Sequence, residues 1–351
     1  MPSAADIQKA LESGRKQAES VVKDRNKILK KRAKAIEKAQ LPRRVPTPKP
    51  RHPLAAGVPT PSSPPAVQRP APVPPPPPPP GTVPFTATQD LGPQGHSTLI
   101  AEGDSWFDYP GDDVLRVLED HHGYEVESVA HWGDRVEEMA YTDGQLDALT
   151  RLIEKVLRNG RKPRAILLSG GGNDIAGEEF GMLLNHASSP VSGLNESIVK
   201  GVIDERISLA YVEIISRVTR VCELRIGART PILIHGYDYP VPDGRGFFGG
   251  WWFLPGPWLE PGFREKGFGV LQERILITKT LIDRFNSMLQ SLVSMQDFEH
   301  VRYVNLRNTL AVSDDSDEYG PDWANELHPT PRGFEKVTDK FAAVLAGLPV
   351  E

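Results

Sequence analysis

From Thr98 onward, short apolar runs alternate with stretches of helical periodicity. The runs Thr98–Ala101, Glu125–Ala130, Ala165–Ser169, Pro231–His235 and Val301–Leu306 read as strands. Asp112–His121, Arg135–Met139, Gly144–Asn159, Ile203–Arg225, Val270–Met295 and Arg332–Leu345 read as helices. Parallel strands need a crossover between them, and a helix supplies it. The alternation therefore predicts an α/β fold: a parallel sheet of about five strands covered by helices on both faces. No internal repeat is visible.

What precedes this region has a different composition. Leu41–Ser97 holds 20 of the 34 prolines, including the run Pro74–Pro80. Proline cannot donate to a helix or sheet ladder, so this stretch reads as an extended, disordered linker that could span roughly 100 Å or more. Residues 4–40 read as one amphipathic helix carrying Ile7, Leu11, Ala18, Val21, Val22, Ile28, Leu29 and Ile36, interrupted by Gly14. Its polar face is basic: residues 1–52 carry fifteen Lys/Arg against five Asp/Glu, although the whole chain has a net charge of −5. Such a helix is a solvated tail or weak coiled coil, or it meets an anionic membrane or a protein partner. No nucleic-acid partner is expected. The expected division is a basic helical tail (1–40), a Pro-rich linker (41–97) and an α/β domain (98–351) with an aromatic insertion at 237–266.

Cys222 is the sole cysteine, which excludes an intramolecular disulfide and a cysteine-based metal site. It lies in an apolar helical stretch and reads as a buried thiol. The residues Met1–Asp6 lack the basic and apolar regions of a secretory signal, and no window is apolar enough to span a membrane. A cytoplasmic location is the default expectation, with signal-independent export as the alternative.

Four stretches carry chemistry. Leu99–Glu102 ends at Gly103-Asp104-Ser105, placing a serine at the C-terminal end of a strand, where sites form in open α/β sheets. Ser105 is either a nucleophile or the N-cap of the next helix. Ser128–Arg135 places Gly133 just before a helix, where backbone N–H groups can approach a ligand. Leu167–Asp174 runs from a buried strand into Gly170-Gly171-Gly172 and then Asn173-Asp174. The Asn173 amide suits an oxygen that becomes negative only in a transition state. The alternatives are a capping Asn on a glycine-rich turn, or a phosphate loop, which lacks the Lys-Ser/Thr of a P-loop. Trp323–Phe334 holds His328 between Asn325 and the prolines Pro329 and Pro331, orienting a base before reaction.

With Ser105, Gly133, Asn173 and His328 in that order, the chain resembles the SGNH/GDSL hydrolases over roughly residues 98–348. Gly103-Asp104-Ser105 matches the nucleophile motif, with Trp106 in place of the usual Leu. Gly133, Gly171-Gly172-Asn173-Asp174 and His328-Pro329 match the other three. The resemblance implies a flavodoxin-like three-layer α/β/α sandwich. It also implies ester hydrolysis through an acyl-serine, with Ser105 as nucleophile, His328 as base, and the Ser105 N–H, Gly133 N–H and Asn173 amide as the oxyanion hole. No cofactor or metal is implied.

The chain departs from the family three residues before the histidine, where an Asp is usual and Asn325 stands. An amide can orient an imidazole but cannot stabilise its cation as a carboxylate does. Either Asn325 accepts the His328 N–H, or a nearby acid (Asp322 or Glu326) takes that role, or Ser105 and His328 work as a dyad or are impaired. Asp104 is expected to be structural, bonding loop N–H groups.

The insertion 237–266 contains three of the six tryptophans. Tyr237, Trp251, Trp252 and Trp258 are candidates for a lid or acyl pocket, with Trp106, Phe107 and Tyr109 completing its wall. A satellite hydrophobic cluster is the alternative. His235 and Asp238 could line the pocket without a catalytic part. The expected substrate is a small-molecule, lipid or acylated-carbohydrate ester. The competing expectation is a binding or scaffolding protein on an impaired hydrolase fold, with the basic helix and linker as its working parts.

Overall fold

The computed structural model describes residues 1–40, 97–142, 144–177, 179–247 and 255–349. The Pro-rich stretch 41–97 therefore lies, except for Ser97, outside the described residues. The chain forms two compact units, Met1–Asn26 with Leu91–Glu351, and Lys27–Asp90. Of the second unit only the helical residues 27–40 are described.

The elements in chain order begin with α1 (Ala4–Gln40), β1 (Thr98–Glu102), α2 (Val114–Asp120), β2 (Glu125–Ser128), α3 (Val136–Tyr141), α4 (Gln145–Arg158), β3 (Ala165–Leu168) and α5 (Gly172–Ile175). A short antiparallel pair, β4 (Leu184–Asn185) and β5 (Gly193–Leu194), leads into α6 (Glu196–Val199). A π-helical stretch, Lys200–Ile207, joins α6 to α7 (Ser208–Ile226). Then come β6 (Ile232–His235), α8 (Glu260–Glu265), α9 (Leu271–Val293), β7 (Val301–Val304), α10 (Ser316–Tyr319) and α11 (Pro331–Ala346).

Five strands form one sheet in the order β2-β1-β3-β6-β7, every pair parallel. Set apart from the β4–β5 pair, this is the strand order of flavodoxin-like folds. β1, β3 and β6 are buried along their whole length, as strands covered on both faces must be. α2 and α11 pack together on one face, while α4, α7 and α9 pack on the other. The helix expected over Ile203–Arg225 begins earlier, at Glu196, because Asn195 caps it by accepting the Ile198 N–H (3.2 Å). Among the described residues no helix is long and apolar enough to cross a membrane.

The first part of α1 differs from the solvated tail, membrane-binding helix or partner-binding helix expected of it. Ala10, Leu11, Ala18 and Val22 are buried in the same core as the sheet. Gly14 lets the two backbones approach closely: a Cβ there would stand 2.7 Å from the Glu213 carbonyl oxygen of α7. The polar residues are matched as well. Ser216 Oγ donates to the Leu11 carbonyl (2.7 Å), Arg15 meets Asp297 (2.6 Å), and Arg25 meets the fully buried Glu154 (2.9 Å). Arg225 from α7 bonds the other Glu154 oxygen. The narrow apolar stripe suffices because small residues and complementary ion pairs do what large apolar side chains would do elsewhere.

Candidate active site

The strand order reverses between β1 and β3, and the loops leaving the C-terminal ends of neighbouring strands separate there to open a crevice. The two loops are Gly103–Tyr109 and Ser169–Gly171, so the candidate serine and amide reach one site from adjacent strands. Ser105 caps no helix. Its turn is closed by Phe107 N–H to the Asp104 carbonyl (3.0 Å), and α2 starts only at Val114 under its own cap, Asp113. Gly103 is obligatory at its position, since a Cβ would stand 2.6 Å from Ser169 Cβ. Asn173 lies within the first turn of α5, whose N-cap is Gly171, so it is not a capping residue.

His328 comes from the loop before α11. That loop is pinned by an antiparallel bridge between Trp323 and Pro329 and by the Ala324 N–H to the His328 carbonyl (2.9 Å). His328 Nε2 lies 2.7 Å from Ser105 Oγ, and Nδ1 lies 3.0 Å from Asn325 Oδ1. The surroundings identify the amide atoms. Oδ1 also accepts the backbone N–H of Leu327 and of His328 (2.9 Å each), while Nδ2 donates to the Tyr109 hydroxyl (3.1 Å). An amide oxygen that two backbone N–H groups already face can only accept from the ring as well, so Nδ1 carries the ring proton and Nε2 is free to accept from Ser105. Burial alone pushes the His328 pKa down to about 3, so the imidazole is neutral at pH 7. Tyr109 stacks on it at 4.4 Å between ring centroids, and Trp258 meets it edge-on at 5.5 Å.

The two acids weighed as alternatives to Asn325 are engaged elsewhere. Asp322 pairs with Lys336 (2.7 Å) and accepts the Ala311 N–H (2.9 Å). Glu326 accepts four backbone N–H groups, from Gly244, Trp258, Leu259 and Glu260, and thereby ties the insertion to the histidine loop.

Ser105, Asn173 and His328 line one cavity of about 60 Å³. Asn173 spends one amide N–H on the Asp134 carbonyl (2.9 Å), leaving the other for a ligand. Gly133 sits in the adjoining turn with φ +89° and does not line the cavity. That turn is tethered to the serine loop by His131 N–H to the Gly103 carbonyl (2.9 Å) and Trp132 N–H to Asp108 (3.1 Å).

The remaining wall is apolar, with Ile175, Leu259 and Ile282 beside Trp106 and Tyr237. Trp258 stands against His328, while Trp251 and Trp252 lie outside the described residues. Phe107, expected in the wall, instead packs against Phe341 and His235 in the core. Tyr237 has a second role, because its hydroxyl donates to Asp104 and accepts the Gly172 N–H (3.1 Å). Asp104 also accepts from Trp106 N–H (3.0 Å) and Ser169 Oγ (2.6 Å). Ser169 Oγ in turn lies 2.8 Å from Nε2 of the fully buried His235, whose pKa burial lowers. This chain of polar groups beneath the serine loop joins β1, β3 and β6. A buried strand ending in His, as Pro231–His235 does, is the only sequence signal that pointed to it. Asp238 is structural, accepting the N–H groups of Tyr239, Asn308, Thr309 and Leu310. Among the described residues no cluster of three His, Cys, Asp or Glu side chains could hold a metal ion.

No family model and no curated protein sequence matches the chain. Among solved structures, it is similar to an extracellular lipase from Streptomyces rimosus, at 14% identity and a TM-score of 0.41, over 72% of this chain and 99% of that one. It is also similar to a carbohydrate acetylesterase from Sinorhizobium meliloti, at 12% identity and a TM-score of 0.39, over 72% and 99% of the two chains. A GDSL-like lipase from Bacteroides thetaiotaomicron shows 12% identity and a TM-score of 0.35, over 72% and 88%.

Proposed function

We propose that the chain is a serine-dependent carboxylic ester hydrolase. The observation that carries this reading is the hydrogen-bonded line from Ser105 Oγ through His328 to Asn325, with Asn173 facing the same cavity. Ser105 Oγ attacks the ester carbonyl while His328 Nε2 takes its proton. The negative charge that develops on the carbonyl oxygen is met by the free Asn173 N–H and by the Ser105 N–H. The C–O bond to the alcohol breaks, and His328 returns the proton to the departing oxygen. Water then repeats the sequence on the acyl-serine, giving the acid and restoring Ser105.

Asn325 acts by setting the tautomer. Pinned on both sides of its amide, it keeps the proton on Nδ1, which is half of what a carboxylate would do there. Trp106, Tyr237 and Trp258 shape the substrate side. The substrate class is a small-molecule, lipid or acylated-carbohydrate ester. Residues 98–351 form the hydrolase domain in this reading, and residues 1–26 brace it.

Hydrolysis of a short-chain p-nitrophenyl ester tests the proposal. Wild type should turn over and Ser105→Ala should not, with equal thermal stability. Equal rates for the two would leave a binding protein on a disabled hydrolase fold as the better reading.

A further inference from the structure

When His328 takes the Ser105 proton, its ring becomes a buried cation. A carboxylate at position 325 would offset that charge, but Asn325 is neutral. The acids beside it in sequence spend their charge elsewhere, Asp322 on Lys336 and Glu326 on backbone N–H groups of the insertion. His328 is 6% exposed, and burial alone acts on its pKa, pushing it down. The cation therefore costs more here than in water, and a side chain that lowers this cost accelerates the step.

Tyr109 lies against the ring. The two centroids are 4.4 Å apart and the planes 21° from parallel, so the imidazole rests on the phenol face. Among the described residues no other ring lies parallel to it, since Trp258 stands at 74°. The face of an aromatic ring carries the negative part of its quadrupole. A cation within about 6 Å of the centroid is attracted to that face, more strongly where water is excluded. Imidazolium is attracted more than neutral imidazole, so the contact favours the transition state over the ground state. Tyr109 is also held in place before reaction. Its hydroxyl accepts from Asn325 Nδ2 (3.1 Å), and Phe334 (5.9 Å, 42°) and Phe247 (5.7 Å, 75°) pack around its ring. Asn325 joins the two partners, with its oxygen facing His328 Nδ1 and its nitrogen facing Tyr109.

We propose that the ring face of Tyr109 stabilises the His328 imidazolium, supplying the electrostatic half of the role that a carboxylate in place of Asn325 would fill. Tyr109 is a positioning residue in the sense that it acts through His328. Asn325 fixes which nitrogen carries the proton, and Tyr109 makes the second proton cheaper to accept. The two functions that one carboxylate combines are divided here between an amide and an aromatic face.

This inference rests on the reaction proposed above, so its test includes a readout that does not depend on turnover. Tyr109→Phe keeps the ring face and loses the hydroxyl, whereas Tyr109→Leu loses both. In ester hydrolysis, kcat of Tyr109→Leu should lie about 2- to 30-fold below that of Tyr109→Phe with little change in KM, the range of a cation–π contact. Phenylalanines carrying one, two and three fluorines at position 109 withdraw charge from the ring face at nearly constant shape. They should lower kcat stepwise at equal melting temperature, and they keep the test valid if Tyr109→Leu does not fold. Equal kcat for the Phe and Leu variants, or a flat fluorine series, overturns the proposal. The second readout is NMR titration of His328 in the Asn325→Asp background, where the trifluorinated ring should make the imidazole titrate at lower pH than Phe does. Identical titrations overturn the proposal too. If wild type shows no turnover beyond Ser105→Ala, the hydrolase reading fails, and the titration still decides whether the ring at position 109 stabilises the cation.

Discussion

Asn325→Asp converts the amide that faces His328 into a carboxylate, and the structure shows that the site can take it. The oxygen at 3.0 Å from Nδ1 keeps its three N–H donors, and the Tyr109 hydroxyl, now an acceptor from Nδ2, can rotate to donate to the new oxygen. A neutral hydrogen bond is worth about 0.5–1.5 kcal/mol and one to a charged group about 1.5–3. The difference of roughly 1–2 kcal/mol applies when the imidazole becomes cationic, in the transition state. It corresponds to about a 5- to 30-fold gain in kcat/KM. The pH profile supplies a second readout. Wild-type His328 is held neutral down to about pH 3 by burial, so kcat/KM should stay level into the acid range and fall only near that value. The new carboxylate favours the cation and raises that pKa, so the acid limb of Asn325→Asp must move toward neutral pH. The assay is p-nitrophenyl ester hydrolysis from pH 3 to 8, with circular dichroism confirming the fold at each pH. An unchanged acid limb, or a kcat/KM no greater than that of wild type in a folded variant, would mean that the amide does more than orient His328.

Asn173→Ala should cost roughly 10²–10³ in kcat while leaving the melting temperature nearly unchanged, since the residue caps no helix and spends one N–H on Asp134. A loss below tenfold would remove it from the oxyanion hole. Glu154→Gln leaves Arg25 and Arg225 facing a neutral amide where α1 and α7 meet α4. Both cations are mostly buried, with 17% and 15% of their side chains exposed, so destabilisation of about 3 kcal/mol is expected by urea unfolding. A change under about 1 kcal/mol would mean that the ion pairs do not secure the first part of α1.

The parallel sheet was legible because strands buried on both faces leave unbroken apolar runs, as in Ala165–Leu168 and Ile232–His235. The candidate site was legible because it sits where those runs end, and Gly103, Gly133 and Gly171 mark those ends in the sequence. The docking of α1 was not legible. Its contacts are Glu154, Ser216 and Asp297, between 129 and 282 residues away in the chain, and small residues such as Ala10 and Gly14 look the same on a packed face as on a solvated one. The polar chain Asp104–Ser169–His235 was hidden for the same reason: its members stand 65 and 66 residues apart in the chain.

The sheet, the order of the chemical groups along it, and the substitution of Asn325 for an acid can all be read from the chain alone, because periodicity and turn residues are local properties. What that substitution means is a matter of three-dimensional packing. Whether an amide presents its oxygen or its nitrogen to His328 depends on Tyr109, 216 residues away, and on two backbone N–H groups fixed by the fold of the histidine loop. Hydrogen-bond direction is set by all the partners at once, and folding is what brings them together.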